Sequence, residues 1–183
     1  MKYQNLSPAE QWILKGVPYL FLIGSGLHFI YELTGKNPLV GLLAPVNESV
    51  WEHLKLVLIP VIGWWTVYYL AAGNTGGINK NNWFTGALTA LMASLITIPL
   101  LYYFYTQAFG VELIWVDILI LLLAVLSGQL VGLHWYRYGR GIEATTVVGI
   151  LITIILLFML FTFTPPQLPL FRDPTTGQYG IYS

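Results

Sequence analysis

Residues 142–163 read IEATTVVGILITIILLFMLFTF, an apolar run with a single charged side chain. A helix needs about 20 such residues to cross the hydrocarbon core of a bilayer. Four further runs of this kind lie near residues 12–34, 50–72, 83–105 and 112–136. Only 9% of the chain is charged, against roughly 25% in soluble domains. The sequence therefore predicts an all-α fold, an integral membrane bundle of five transmembrane helices.

The composition narrows the function classes. The 183 residues include no cysteine, which excludes disulfides, thiolate nucleophiles and cysteine-ligated metals. The formal net charge is zero, so nothing favours a nucleic-acid partner, and the lipid bilayer is the partner that the composition indicates. Homo-oligomerisation stays open, and no substrate is indicated. No stretch predicts a soluble domain, so we expect residues 1–183 to form a single transmembrane domain.

The first apolar run follows a lysine-containing amino terminus, as the core of a signal peptide does. It continues to Leu33, however, which is longer than a signal peptide requires. The preceding Ser7-Pro8-Ala9-Glu10 has the pattern of a capped helix start with proline at its first position. We therefore expect the first run to remain in the mature protein as a membrane span.

The basic residues indicate the orientation, because five spans place the two termini on opposite sides of the membrane. The basic residues on the N-terminal side are Lys2, Lys15, Lys80, Arg137 and Arg140, and those on the other side are Lys36, Lys55 and Arg172. The positive-inside rule then predicts a multi-pass protein of the cell membrane, with its N-terminus cytoplasmic and its C-terminus extracytoplasmic. Most of the acidic residues fall on the predicted extracytoplasmic side.

Ionisable side chains gather where the second run begins, in the heptapeptide NESVWEH at residues 47–53. His28 and Glu32 end the first run and lie four residues apart, hence on one helix face. A hairpin between the two runs would bring both groups together. Ionisable residues inside membrane segments usually have partners or a functional task. The sequence therefore predicts an outward-facing site of histidines and carboxylates.

This site has the composition of a metal centre. Two imidazoles with several carboxylates suit zinc, iron or manganese. The candidate ligands of a divalent metal are His28, Glu32, Glu48 and His53. In such a site another carboxylate can act as general base on metal-bound water, and we assign this catalytic role to Glu52 and Asp117. Asp117 shares its helix face with Gly128 and Gly132, a close-packing pattern, and is therefore expected to face the bundle interior.

Simple structural roles explain part of the same cluster. Ser49 with Glu52 has the pattern of a capping box, in which Glu52 reaches back to the start of the helix. Glu48 would also complement the positive end of the helix dipole. His28 and Glu32 alone would make a satisfied intramembrane hydrogen bond. Capping leaves His53 unexplained, so the hypothesis of a site and the hypothesis of capping both stay open.

The C-terminal tail, residues 164–183, has a composition that favours ordered packing. Its prolines favour an extended start, and the stretch DPTTG at residues 173–177 favours a turn. Several apolar side chains in the tail require burial. We expect the tail to pack as a lid over the outer mouth of the bundle, where it would bring Asp173 towards the site.

The stretch PVNESVWEHLK at residues 45–55 and the proline-rich tail motif together resemble a family of small bacterial membrane proteins catalogued as a domain of unknown function. The resemblance extends over most of the chain. It implies a bacterial polytopic membrane protein and implies no activity, substrate or catalytic residue.

Three functions are compatible with these features. The first is a metal-dependent, membrane-embedded hydrolase that acts on a lipid headgroup or a peptide. The second is a proton- or cation-coupled transporter or channel, and the third is a non-catalytic accessory membrane subunit. Transporter sites tend to lie near the midplane between internal repeats, whereas this sequence shows no repeat and gathers its acids at one face. Whether the protein is an enzyme is not decided by the sequence.

Overall fold

A computed structural model of the protein describes residues 6–72 and 77–182. The helices are α1 (Pro8–Leu33), α2 (Pro38–Gly41), α3 (Val50–His53), α4 (Lys55–Ala72), α5 (Lys80–Phe109), α6 (Ile114–Tyr138) and α7 (Ala144–Phe163), and a short 3-10 helix, Pro169–Phe171, lies in the tail. Five spans are long and apolar enough to cross a membrane, with α3 and α4 together forming one of them. The predicted all-α membrane bundle is confirmed, and the protein is a multi-pass membrane protein. Lys2, which contributed to the predicted orientation, and Ser183, the end of the predicted lid, lie outside the described residues.

The helix ends differ from the expected bounds for local reasons. α1 begins at Pro8 because Ser7 and Glu10 form the capping box that the sequence predicts, with the Ser7 amide donating to Glu10 Oε2 at 2.7 Å. The second run is divided in two at Leu54, where the Val57 amide donates to the Leu54 carbonyl three residues back, at 3.2 Å. This tighter bonding interrupts the regular α-helix just below the site.

Successive spans alternate in direction. The C-termini of α1, α5 and α7 and the N-termini of α3 and α6 therefore share one end of the bundle, which we call the tail end because the tail packs there. The other end is called the opposite end. α5 and α6 form the most extensive helix pair, α1 packs on both α4 and α6, and α7 lies at the edge against α5. The tail end thus collects five helix termini around one place.

Glycines allow the helices to approach closely. A methyl group at Gly24 would lie 2.6 Å from the carbonyl oxygen of Leu56, which shows how tightly α1 and α4 pack. A methyl group at Gly128 would lie 2.6 Å from the carbonyl oxygen of Ala90, between α6 and α5. The predicted close-packing face of Gly128 and Gly132 is therefore correct, since Gly132 also meets α5.

Paired side chains close the opposite end. The rings of Trp12 and Trp64 stack with centroids 4.2 Å apart. Each indole Nε1 donates to the backbone carbonyl of the other tryptophan at 3.1 Å. Glu10 and Arg137 form an ion pair there between the start of α1 and the end of α6. Polar and charged groups at this end therefore serve to fasten helices to one another.

Candidate functional site

Glu48 lies between two histidines at the tail end. Its Oε1 is 3.9 Å from His28 Nε2, and its Oε2 is 3.4 Å from His53 Nε2. The two imidazole rings stack with centroids 5.2 Å apart and an interplanar angle of 29°. One ligand-type atom from each of the three residues lies within 4.8 Å of the other two. The structure thus brings together three of the four predicted metal ligands.

Helix geometry positions both imidazoles. Gly24 lies one turn before His28 on the same face, and its close contact with α4 directs that face towards the second span. His53 ends α3, and its Nδ1 lies 3.0 Å from the carbonyl oxygen of Ser49. When Nδ1–H donates to that carbonyl, the lone pair of Nε2 faces Glu48. A lone pair that faces a carboxylate at 3.4 Å is favourable only with a proton or a cation between them.

The tail holds the segment that carries Glu48. The amide of Glu48 donates to Asp173 Oδ2 at 3.2 Å. The side-chain amide of Asn47 donates to the carbonyl of Gly180 at 2.9 Å, and its oxygen accepts from the Ser49 amide at 2.9 Å. The start of α3 is therefore fixed on one side by its own cap and on the other side by the tail.

Asp173 is the buried anchor of the tail. Its carboxylate accepts from the amide and hydroxyl of Thr175 at 2.7 and 2.6 Å, and from the Tyr182 hydroxyl. Burial alone raises the pKa of Asp173, but the hydrogen bonds from Thr175, Tyr182 and the Glu48 amide outweigh burial and lower the pKa to about 2. The pKa of Tyr182 is raised by burial and by its bond to Asp173. The Asp173 carboxylate therefore stays ionised and holds the tail in place.

A cavity of about 160 Å³ adjoins two of the three residues, Glu48 and His53. Its polar wall consists of Glu48, His53, Tyr102, Glu112 and Asp117, its apolar wall of Val50, Leu56, Ile98, Ile120 and Leu121, and its tail wall of Pro174 and Thr175. The predicted catalytic residue Asp117 thus borders the same space as two of the candidate ligands. The expectation that Asp117 faces the bundle interior agrees with this position.

Two tyrosines at the end of α5 orient acidic side chains, a role that the sequence interpretation missed. Tyr105 donates its hydroxyl to Asp117 Oδ1 at 2.8 Å, and Tyr102 donates to Glu112 Oε1 at 2.8 Å. The aromatic run at residues 102–105 is also typical of the girdles found where a membrane span meets the interface. The available signal was the short connection between α5 and α6, which places the last tyrosines of one helix beside the first acids of the next.

Glu52, the other predicted catalytic residue, lies in a separate buried network. Lys55 Nζ donates to Glu52 Oε2 at 2.6 Å and to Thr162 Oγ1 at 2.6 Å. The side chains of Glu52 and Lys55 are 2% and 0% exposed. Glu52 does not line the cavity beside Glu48 and His53. Lys55 also donates to the carbonyl of Gly41 at 2.7 Å. This network ties α3 and α4 to α7 and to the connection after α1.

The predicted capping box at the start of α3 is half correct. Ser49 Oγ accepts from the Glu52 amide at 3.3 Å, as expected for a cap. Glu52 does not reach back, because its carboxylate bonds Lys55 and the Val46 amide, the latter at 3.0 Å. The Ser49 amide bonds Asn47 instead. The Glu52 carboxylate therefore bonds to partners from outside its own helix.

Glu32 is the predicted ligand that the structure leaves outside the group. Its Oε1 lies 3.6 Å from Lys36 Nζ, and its side chain is 69% exposed. The chain turns after α1 through Gly35 and Lys36, both with positive φ, and this turn brings Lys36 back towards Glu32. The carboxylate therefore pairs within the turn, while His28 on the same helix faces Glu48.

The sequence matches a family of unknown function (DUF6512) over residues 1–181, and the chain belongs to that family. The resemblance drawn from the motifs at residues 45–55 and in the tail is confirmed in this respect, while a bacterial origin stays a prediction. Neither the search of curated proteins nor the search of solved structures found a match. Membership brings no activity with it, so the function has to be inferred from the site.

Proposed function

We propose that this family member is a membrane-embedded, metal-dependent hydrolase with its site at the tail end. His28, Glu48 and His53 bind a divalent metal, for which zinc, iron and manganese are the candidates. The observation that carries the proposal is the convergence of three ligand-type atoms within 4.8 Å beside a cavity. Two histidines and one glutamate are a ligand set of catalytic zinc sites, which keep a coordination position for water.

The residues fit such an ion. Nitrogen and oxygen ligands at about 2.0–2.2 Å from zinc lie no more than roughly 4 Å apart. The separations of 3.4 and 3.9 Å around Glu48 already satisfy that limit. The contact of His53 Nδ1 with the Ser49 carbonyl is the kind of outer contact that orients a metal-binding imidazole. Binding of an ion would draw the three ligand-type atoms, which lie within 4.8 Å of one another, closer together.

The carboxylates divide into different roles in this proposal. A bound divalent ion would acidify a coordinated water and polarise a substrate carbonyl or phosphoryl group. Asp117 would accept the proton from that water, since it borders the same cavity and is oriented by Tyr105. Glu52 has no part in this step, because Lys55 and Thr162 engage its carboxylate away from the cavity. The N-terminus is cytoplasmic in this proposal, so the site faces the outside of the cell membrane.

Ion-coupled transport is the second candidate, and the observation in its favour is the buried pair of Glu52 and Lys55 inside a membrane span. Against transport, Lys55 Nζ donates to Glu52, Thr162 and two backbone carbonyls, which is the pattern of a structural cation. Ion flux into proteoliposomes tests this candidate directly. Transport predicts flux that Asp117→Asn slows, and the hydrolase proposal predicts none.

Metal content is the decisive measurement for the hydrolase. Purified wild type, supplied with zinc, iron or manganese, is expected to hold about one divalent ion per chain by elemental analysis. His53→Ala should lose the ion. His134→Ala is the matched control. This histidine lies beside Tyr138 near the C-terminus of α6, at the opposite end of the bundle. Glu32→Gln should also keep the ion, since Glu32 pairs with Lys36.

Two outcomes would overturn the proposal. One is a wild-type protein without stoichiometric metal under all three conditions. The other is equal metal content in His53→Ala and His134→Ala, which would show that the ion binds elsewhere. A folded, metal-free protein whose site variants lose only yield would instead indicate the accessory role, in which the polar groups serve packing alone.

A further inference from the structure

The cavity beside the proposed metal site has an apolar inner wall. Leu56, Ile98 and Leu121 contribute to it from α4, α5 and α6. Leu121 is the seventh residue after Ile114, the start of α6, so it lies about 10 Å along the helix from the tail-end terminus at 1.5 Å per residue. The cavity therefore runs from the polar group at the tail end towards the hydrocarbon level of the membrane.

A second, wider cleft continues from this cavity to the surface. It measures about 590 Å³ and shares Val50, Tyr102, Glu112 and Pro174 with the inner cavity. Arg172 of the tail also lines it and is exposed. Glu112 and Arg172 give this cleft one acidic and one basic side chain. The two side chains offer partners to both ends of a polar or zwitterionic group. The polar cleft, the pair of Glu48 and His53, and the apolar wall thus follow one another in a single path.

We propose that this path binds a membrane glycerophospholipid, and the inference rests on the proposed hydrolase function. The apolar chain occupies the inner cavity between α4, α5 and α6. The headgroup occupies the outer cleft near Glu112 and Arg172. The bonds that join chain to headgroup then lie beside Glu48 and His53, the residues that border the cavity at its polar end.

The energetics favour a lipid over a peptide. An acyl chain that moves from the bilayer core to an apolar cavity exposes no apolar surface to water, so the transfer costs little. A peptide backbone in the same cavity would require hydrogen-bond partners, and the inner wall consists of aliphatic side chains. Headgroup contacts in the outer cleft therefore determine which lipid binds.

Photo-crosslinking with a defined probe tests the proposal. The protein is reconstituted in vesicles of phosphatidylglycerol and phosphatidylethanolamine that contain a trace of phosphatidylethanolamine with a diazirine in its acyl chain. Mass spectrometry is expected to locate crosslinks on Ile98 and Leu121. Leu121→Trp fills the cavity and should reduce labelling of Ile98 by about tenfold. This reduction corresponds to a loss of about 1.4 kcal/mol in the free energy of lipid binding. Ile96→Trp is the control, because Ile96 lies on α5 together with Ile98 but its side chain is exposed on the outside of the bundle.

The outcomes separate this proposal from the metal site. Labelling confined to lipid-facing residues such as Ile96, or unchanged in Leu121→Trp, would overturn the lipid substrate and leave the metal result untouched. Labelling of the cavity should persist in His53→Ala, since the chain does not contact the metal. If Leu121→Trp fails to fold, Ile98→Trp with readout at Leu121 provides the same test from the neighbouring helix. Cavity labelling in a protein that binds no metal would retain the lipid site and overturn the hydrolase.

Discussion

The two ends of the bundle use the same kinds of residues in different ways. At the opposite end, Glu10 pairs with Arg137, and Trp12 and Trp64 each donate to the other's backbone. At the tail end, Glu48 is shared by two histidines and borders a cavity. One-to-one pairing fastens helices together. A ligand can instead bind to ionisable side chains that share a partner, are partly exposed and border a cavity.

The same contrast holds inside the tail end. Glu48 and Glu52 are four residues apart, yet only Glu48 borders the cavity. Glu52 is enclosed by Lys55, Thr162 and the Val46 amide. A carboxylate near a helix start is therefore identified as structural or functional by its partners and not by its position in the sequence. Each of the following experiments changes a residue whose partners are known. Most of them compare it with a matched residue elsewhere in the chain.

The largest expected effect comes from the buried pair. Lys55→Met leaves the Glu52 carboxylate without its cation in an apolar interior, which should lower the free energy of unfolding by about 3–5 kcal/mol. Lys36→Met removes the cation of the exposed pair with Glu32 and should cost less than about 1 kcal/mol. Chemical unfolding in detergent, followed by circular dichroism, measures both. Equal costs would contradict the structural role of the Glu52–Lys55 pair.

Separating α1 from α4 should disturb the proposed metal site. Gly24→Ala places a methyl group 2.6 Å from the Leu56 carbonyl, so the helices must move apart at a cost of about 1–3 kcal/mol. His28 moves away from His53, and metal affinity should fall by about tenfold or more. Gly26→Ala meets nothing within 4 Å and should leave the affinity unchanged. Metal titration followed by calorimetry distinguishes them, and equal affinities would show that this contact does not position His28.

Acid should release the tail only at low pH. The pKa of Asp173 is about 2 in the folded protein, against about 3.9 in an unfolded chain. Because the folded pKa is lowered, the resulting stabilisation of about 2.6 kcal/mol is complete above the unfolded pKa and is lost as the pH falls towards about 2. Pepsin cleavage of the tail, measured across this range, should rise accordingly. The tail of Asp173→Asn should be cleaved readily at every pH in this range. Resistance of this variant to pepsin would refute the role of Asp173 as the anchor of the tail.

The smallest effect distinguishes two tryptophans. Trp12→Phe removes an indole that donates to the Trp64 carbonyl, which should cost about 1 kcal/mol beyond lost packing. Trp51 stacks on Phe158 at the tail end, and its Nε1 has no hydrogen-bond partner among the described residues. Trp51→Phe should therefore lose packing alone. Thermal unfolding measures the difference in stability between the two variants. A larger loss of stability for Trp51→Phe than for Trp12→Phe would reverse the contrast between the two ends of the bundle.

Local patterns made much of the fold and part of the site predictable. The apolar runs identified all five spans, and Ser7 with Glu10 marked the start of α1. Helix periodicity and a hairpin between neighbouring spans were enough to predict that His28 lies near Glu48 and His53. These features depend on residues close in sequence or on the connection between neighbouring spans.

Contacts between distant residues were beyond the sequence. The role of Glu52 depends on Thr162 of α7, 110 residues later. The turn that pairs Glu32 with Lys36 depends on two positive φ angles, one of them at a lysine. No local pattern states which of two neighbouring carboxylates will meet a cation from another element. The sequence therefore indicated which chemical groups gather at the tail end, and it did not indicate which partner each of them has.

The contact between the Glu48 amide and Asp173 has a consequence for biosynthesis. It joins residues 125 positions apart, and all of α7 lies between them in the chain. His28, His53 and Glu48 are made early, but Asp173 can reach Glu48 only after α7 has entered the membrane. The order of synthesis therefore makes the contact between Asp173 and Glu48 a late event, and chains interrupted before residue 173 would carry the proposed ligands without this support.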